Sequence, residues 1–269
     1  MKMQQFPGSR LFQKLASFAR AIRSIENWPT AVDLRLRPKP GRFRLLRLRS
    51  GLNVICRDRT SDWDVIRNLA LDNGVERSMS YLRSLPGSPI VLDIGANIGL
   101  FSLIAAAAHP KAVIYAFEPG PMNARMIELN QRLNPTLSDR VHLRFDAVAG
   151  TTRMAEFFYD DVNPQGSGLN CTTGRAIPVQ VRSLAEIVES LPDSVALLKI
   201  DIEGAEYELL DCLPSDFWRR FGAVEIDLHP LPGHKWQPAD FLKYLAQAGF
   251  QAQFVAKENA PDSYFLRRC

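Results

Sequence analysis

The sequence predicts an α/β protein, a doubly wound seven-stranded sheet preceded by a basic extension of helix and hairpin. Three observations predict it. Ile90-Val91-Leu92-Asp93-Ile94 is an apolar run of strand length that carries one acid near its end and breaks into a turn from Gly95 to Gly99. Runs of the same kind at 112–117, 141–145, 195–200 and 223–229 alternate with helical periodicity, the rhythm of a parallel sheet with crossover helices. The last two runs, 251–256 and 263–267, form a closing hairpin whose final strand is antiparallel.

The glycine turn is a ligand seat. Gly95 and Gly99 lack Cβ, so the backbone turns sharply and a ligand can lie against it, while the next helix points free N–H groups at the same place. A dinucleotide fingerprint fails, because Asn97 and Leu100 stand where its second and third glycines belong; no Gly-Lys-Ser/Thr marks a phosphate loop. What remains is acid-x-Gly-x-x-x-Gly, followed about 20 residues later by Glu118 at the end of the second strand, where an acid suits a ribose diol. Asp146 ends run 141–145 as the third acid at a strand end; a carboxylate there can accept from an amino group, and small Ala147 leaves room beside it. A turn cap is the structural alternative for Asp146.

Together these features resemble the S-adenosylmethionine site of class I methyltransferases. Three blocks resemble the FkbM family of S-adenosylmethionine-dependent O-methyltransferases: Val91 to Phe101, Phe117-Glu118-Pro119 with Asn123 and Asn130, and Leu198-Lys199-Ile200-Asp201-Ile202-Glu203-Gly204-Ala205-Glu206. The resemblance implies a Rossmann-like sheet with S-adenosylmethionine held by Asp93, Gly95, Asn97, Gly99, Glu118, Asp146 and Ala147. It also implies transfer of a methyl group to a hydroxyl of a sugar or glycosylated metabolite. Two departures stand out: Asp227-x-His229 where the family commonly has Glu-x-His, and Ala185 where it often has Asp.

Methyl transfer to oxygen needs alignment at the donor carbon and a group to take the hydroxyl proton. The candidates cluster at the end of run 195–200. Lys199 sits within it, where an ammonium needs a carboxylate partner, and Asp201 and Glu203 follow. In run 223–229, Glu225, Asp227 and His229 share one face by the period of two, so this polar row is expected to face a cleft or a partner. Asp201 or Glu203 is the expected base, with His229 orienting the substrate or relaying the proton. By analogy with related sugar O-methyltransferases, magnesium on Asp201 and Asp227 is a further expectation.

Length and composition bound the rest. The 269 residues suit one large α/β domain, 86–269, behind an N-terminal extension, 1–85. Cys56, Cys171, Cys212 and Cys269 lack metal-ligand spacing, and the N-terminus lacks the apolar core of a secretory signal, so a cytoplasmic protein with reduced thiols is expected. Net charge is +4, but residues 1–60 set fourteen basic residues against Glu26, Asp33 and Asp58, a local +11. Leu11, Leu15, Phe18, Ile22 and Ile25 predict an amphipathic helix over 9–27, whose apolar stripe can dock on its own domain, on a second copy in a homodimer, or on an anionic membrane surface. A β-hairpin with an outward arginine face is expected over 42–56, and a helix over 63–85. Nucleic acid is disfavoured, since no aromatic interleaving accompanies the arginines. The polar loop 160–176 is placed to fold over a substrate. The rival readings are a non-catalytic S-adenosylmethionine-binding scaffold whose basic arm docks on a membrane, glycan or nucleic acid, and a nicotinamide oxidoreductase. The expected substrate is a small-molecule or glycan hydroxyl acceptor.

Overall fold

The computed structural model describes residues 19–72, 74–160, 167–171, 173–229, 234–255 and 262–268. Its strands are β1 Phe43–Arg47, β2 Asn53–Arg57, β3 Ile90–Ile94, β4 Val113–Phe117, β5 Val141–Arg144, β6 Ala147–Ala149, β7 Arg153–Tyr159, β8 Arg175–Ser183, β9 Val195–Ile200, β10 Phe221–Leu228, β11 Phe250–Val255 and β12 Asp262–Arg268. The central sheet runs β11-β12-β10-β9-β3-β4-β5, with β12 alone antiparallel to its neighbours. Strand order reverses between β3 and β9, which opens a crevice at their carboxyl ends, the place where such sheets bind ligands.

Alternation along the strands builds a core on each face. Leu92, Leu198, Ile200 and Val224 pack with Trp218 and Phe241 beneath the helices Leu184–Glu189, Glu206–Cys212 and Pro238–Gln247. Val91, Leu197 and Ala223 pack on the other side under the helices Glu76–Arg83, Leu100–Ala108 and Pro121–Leu133. Each fully buried large side chain contributes about 1.5–3 kcal/mol by leaving water. Ser183 caps Leu184–Glu189 by accepting from the Ala185 N–H at 3.2 Å, so the helix start is capped despite Ala185. β7 and β8 flank the loop 160–176, and with β6 they form a separate three-stranded sheet that the sequence reading did not anticipate.

The N-terminal segment shares a core with the body. Ile25, Leu46, Val54 and Ile66 pack against Ile98, Leu103 and Met126. Backbone groups of the hairpin are satisfied by the body's asparagines: Ile55 N–H donates to Asn130 Oδ1 at 2.7 Å, and Asn130 Nδ2 donates to the Ile98 carbonyl at 2.9 Å.

Three expectations here are corrected. Of the helix expected over 9–27, residues 9–18 lie outside the described residues, and the described part spans only 19–24. Ile25 leaves it to bridge Leu48, and Asn27 is pinned to β1 through the Leu45 carbonyl and the Arg47 N–H, each at 2.8 Å, so pairing with the hairpin overrides helical periodicity. A helix, Trp28–Leu36, follows where none was expected. The helix expected over 63–85 is three pieces, Asp62–Ile66, a π-helical turn Arg67–Leu71, and Glu76–Arg83. The hairpin 42–56 forms as β1 and β2, but its arginines are not all outward: Arg44 is buried between Asp33 and Asp58, and Arg57 is buried on Asp62. No helix among the described residues is long and apolar enough to cross a membrane.

Candidate active site

A cleft of about 600 Å³ lies over the carboxyl ends of β3, β4, β9 and β10, a volume suited to a cofactor-sized ligand. The turn after β3 forms its floor. Gly95 has φ +79°, and a Cβ there would stand 1.8 Å from the Asp201 carbonyl oxygen. The glycine is therefore needed where two strand-end loops touch, with its own N–H donated to the Phe117 carbonyl at 3.0 Å. Asn97 adopts left-handed backbone, donates its N–H to Glu118 Oε2 at 2.8 Å, and leaves its own Oδ1 buried with no hydrogen-bond partner. Gly99 lies behind the cleft wall, packed on Ile127 at the start of Leu100–Ala108.

Glu118 follows β4 and is buried. Its Oε1 accepts from the Gly120 N–H at 2.8 Å and from Asn123 Nδ2 at 3.4 Å. Burial raises its pKa; these three donors oppose the rise and the charge of Asp93 adds to it, leaving Glu118 at about 7. Asp146 and Ala147 also line the cleft. An orphaned amide oxygen beside a carboxylate with acceptor capacity to spare fits a ligand carrying hydroxyl and amino donors, as a ribose and an adenine do.

Asp93 is not on the cleft wall. It is fully buried, accepting from Ser102 Oγ at 2.6 Å and lying 3.9 Å from Lys199 Nζ. Asp93, Lys199 and Glu225 occupy matched positions on β3, β9 and β10, one charged row across three strands. Burial lowers the Lys199 pKa, but the carboxylates of Asp201, Asp93, Asp227 and Glu225 outweigh it, so the ammonium is held charged. Glu225 is a correction: it does not reach the cleft but accepts from Ser78 Oγ of helix Glu76–Arg83. The period of two sets the face correctly, yet a helix covers all but the carboxyl end of that face.

At that end stand Asp201, Glu203, Asp227 and His229, all on the cleft. His229 Nδ1 is 2.8 Å from Glu206 Oε1, and its Nε2 is 3.4 Å from Glu203 and 3.8 Å from Asp201. Burial lowers the His229 pKa, but the hydrogen bond to Glu206 and the charges of Glu206, Asp201 and Glu203 raise it to about 10. Glu203, in left-handed backbone with φ +51°, is raised to about 7 by burial; His229 opposes this, and Asp201, Glu206 and Asp227 reinforce it. Glu206 is the site residue that sequence reasoning missed. Its signal was present, an acid three residues after Glu203 at the start of the next helix. The segment Asp64 to Leu69 closes the cleft from the N-terminal side, and Ser167 and Leu169 represent the loop 160–176 there; residues 161–166 of that loop lie outside the described residues.

The magnesium expectation is not matched by the donors. Asp227 accepts from Ser263, and the acidic and histidine atoms that converge within 4.8 Å are those of Asp201, Glu203 and His229. Magnesium prefers an all-oxygen shell, whereas this cluster contains an imidazole and has Lys199 Nζ 3.4 Å from Asp201. Lys199 Nζ and His229 Nε2 already face these carboxylates, each at 3.4 Å from its nearest one.

Comparison with known proteins places these features in a family. Residues 93–252 match the methyltransferase FkbM domain. The chain is 28% identical over 220 residues to methyltransferase sdnD of Sordaria araneosa, covering 69% of this chain and 82% of that one. It is 29% identical over 184 residues to the 31-O-demethyl-FK506 methyltransferase FkbM of Streptomyces tacrolimicus, covering 55% and 68%. The fold is similar to that of an S-adenosylmethionine-dependent methyltransferase from Agrobacterium tumefaciens, with TM-score 0.51 and 10% identity over 86% of this chain and 72% of that one. More than half of the chain matches the family domain, on a doubly wound sheet whose cleft suits the cofactor: the protein belongs to the FkbM family of S-adenosylmethionine-dependent methyltransferases.

Proposed function

We propose that this methyltransferase methylates a hydroxyl, of a sugar or glycosylated metabolite, with Glu203 as the base. The observation that carries the reading is Glu203 itself, a carboxylate aimed into the cleft with its pKa raised to about 7. A base of that strength is half ionised at neutral pH and strong enough to take a hydroxyl proton as the oxygen is alkylated. When bound, S-adenosylmethionine supplies an electrophilic methyl carbon on a sulfonium. Glu118 and Asn97 accept from the ribose, and Asp146 accepts from the adenine amino group. His229, charged and steadied by Glu206, holds Glu203 in place and donates to the acceptor. Beneath them Lys199 sets its ammonium between Asp201 and Asp93. The walls from Asp64 to Asn68 and from Asp201 to Asp227 offer many acceptors, which suits a polyhydroxylated substrate. The name of the Streptomyces relative, a 31-O-demethyl-FK506 methyltransferase, places its own transferred methyl on oxygen and supports the same for this chain.

The test is a labelled-methyl assay against extracts of glycans and glycosylated metabolites, with the product methyl located by NMR. A methoxy carbon is expected, and Glu203→Gln should lower turnover by about 10²–10⁴. A methyl on nitrogen or carbon, or a fully active Glu203→Gln, overturns the reading.

A further inference from the structure

We propose that Arg57, on the N-terminal hairpin, is a positioning residue of the cofactor site. It locks the Asn123 amide in the orientation that offers a donor to Glu118. This rests on Glu118 holding the ribose.

Four buried groups, Asp62, Arg57, Asn123 and Glu118, are linked in one chain of hydrogen bonds. Arg57 and Asp62 pair through Nε to Oδ2 at 2.9 Å and Nη2 to Oδ1 at 2.7 Å, and the Arg57 backbone N–H also donates to Asp62 Oδ2 at 2.8 Å. Arg57 Nη2 further donates to Asn123 Oδ1 at 2.8 Å, and Asn123 Nδ2 reaches Glu118 Oε1 at 3.4 Å. Guanidinium has donors only, so the atom of Asn123 facing Arg57 must be the oxygen. The other end, facing Glu118, must then be the NH₂. Without Arg57 the Asn123 oxygen loses this charged donor, and a flipped amide would set an oxygen against the Glu118 carboxylate.

Burial does most to raise the pKa of Glu118. Asp93 raises its proton affinity, and the donors at Gly120, Asn97 and Asn123 lower it. Losing the Asn123 donor therefore makes Glu118 harder to ionise, and an ionised carboxylate is what accepts ribose hydroxyls. The extension thus contributes to cofactor affinity without touching the cofactor.

The experiment titrates the full-length protein with S-adenosylhomocysteine between pH 6 and 8. Wild-type affinity should climb through a midpoint near 7. Arg57→Met should move the midpoint to about 8, the worth of a hydrogen bond to a charged group, and so bind about tenfold more weakly at pH 6 but only about twofold more weakly at pH 8. Arg57→Lys, which keeps a donor, should recover part of both. Asn123→Leu leaves Arg57 on Asp62 and should repeat the loss, which keeps the test alive if Arg57→Met does not fold. Wild-type affinity and midpoint in Asn123→Leu and in any folded Arg57→Met overturn the proposal, as does a lowered melting temperature with an unmoved midpoint. Glu118→Ala separates the two levels. Lost binding in Glu118→Ala with intact binding in the other variants overturns the brace alone, whereas intact binding in Glu118→Ala overturns the ribose reading and the brace with it.

Discussion

The acid–base pair at the cleft makes a pH–rate profile that can be worked from the structure. Glu203 must be ionised to take a proton, and His229 must be charged to hold it, so activity needs the state between about 7 and about 10. The two groups interact, so these are apparent values of the pair. The active fraction is about one half at pH 7, about one tenth at pH 6, and near its maximum around pH 8.5. The perturbation is Glu206→Gln. It removes the charge that meets His229 Nδ1 at 2.8 Å and leaves a neutral acceptor in its place. A hydrogen bond to a charged group is worth about 1.5–3 kcal/mol, so the alkaline limb should fall from about 10 to about 8 or 9, narrowing the bell from that side. The acidic limb should move little and downward, since Glu206 is only one of several charges raising Glu203. Initial rates of labelled-methyl transfer, measured at saturating cofactor from pH 5.5 to 10.5, give both limbs. A flat wild-type profile between pH 6 and 8, or an alkaline limb unmoved in Glu206→Gln, refutes the assignment of base and partner.

Other outcomes follow from the same geometry. Gly95→Ala places a methyl where the Asp201 carbonyl stands 1.8 Å away, so it should destabilise the protein by about 3 kcal/mol or more; an unchanged melting temperature would refute the close approach. Lys199→Met strands the buried Asp93 carboxylate and should cost about 3–5 kcal/mol by denaturant titration, with a partial return in Lys199→Met/Asp93→Asn. Because Lys199 and His229 already stand where a cation would meet Asp201 and Glu203, dialysis against EDTA should leave the methyl-transfer rate unchanged, and a rate restored only by an added divalent ion would contradict this.

The central sheet was legible because its signals are local. An apolar run from Ile90 to Ile94, the acid, and the left-handed turn at Gly95 and Asn97 each depend on a few neighbouring residues, and they carry the family resemblance, the fold and the position of the cleft. Glu118, Asp146, Asp201 and His229 were legible too, since strand ends of a doubly wound sheet converge on one crevice. Periodicity also put Glu225, Asp227 and His229 on a common face. What meets that face was not local: helix Glu76–Arg83 takes Glu225, Ser263 of β12 donates to Asp227 at the cleft, and His229 meets the cleft's carboxylates. The broken N-terminal helices, the inward arginines of the hairpin and the third sheet were likewise decided by segments far apart in sequence. A side chain's partner across the fold depends on three-dimensional distance, and the pattern of a single segment records only which way that side chain points.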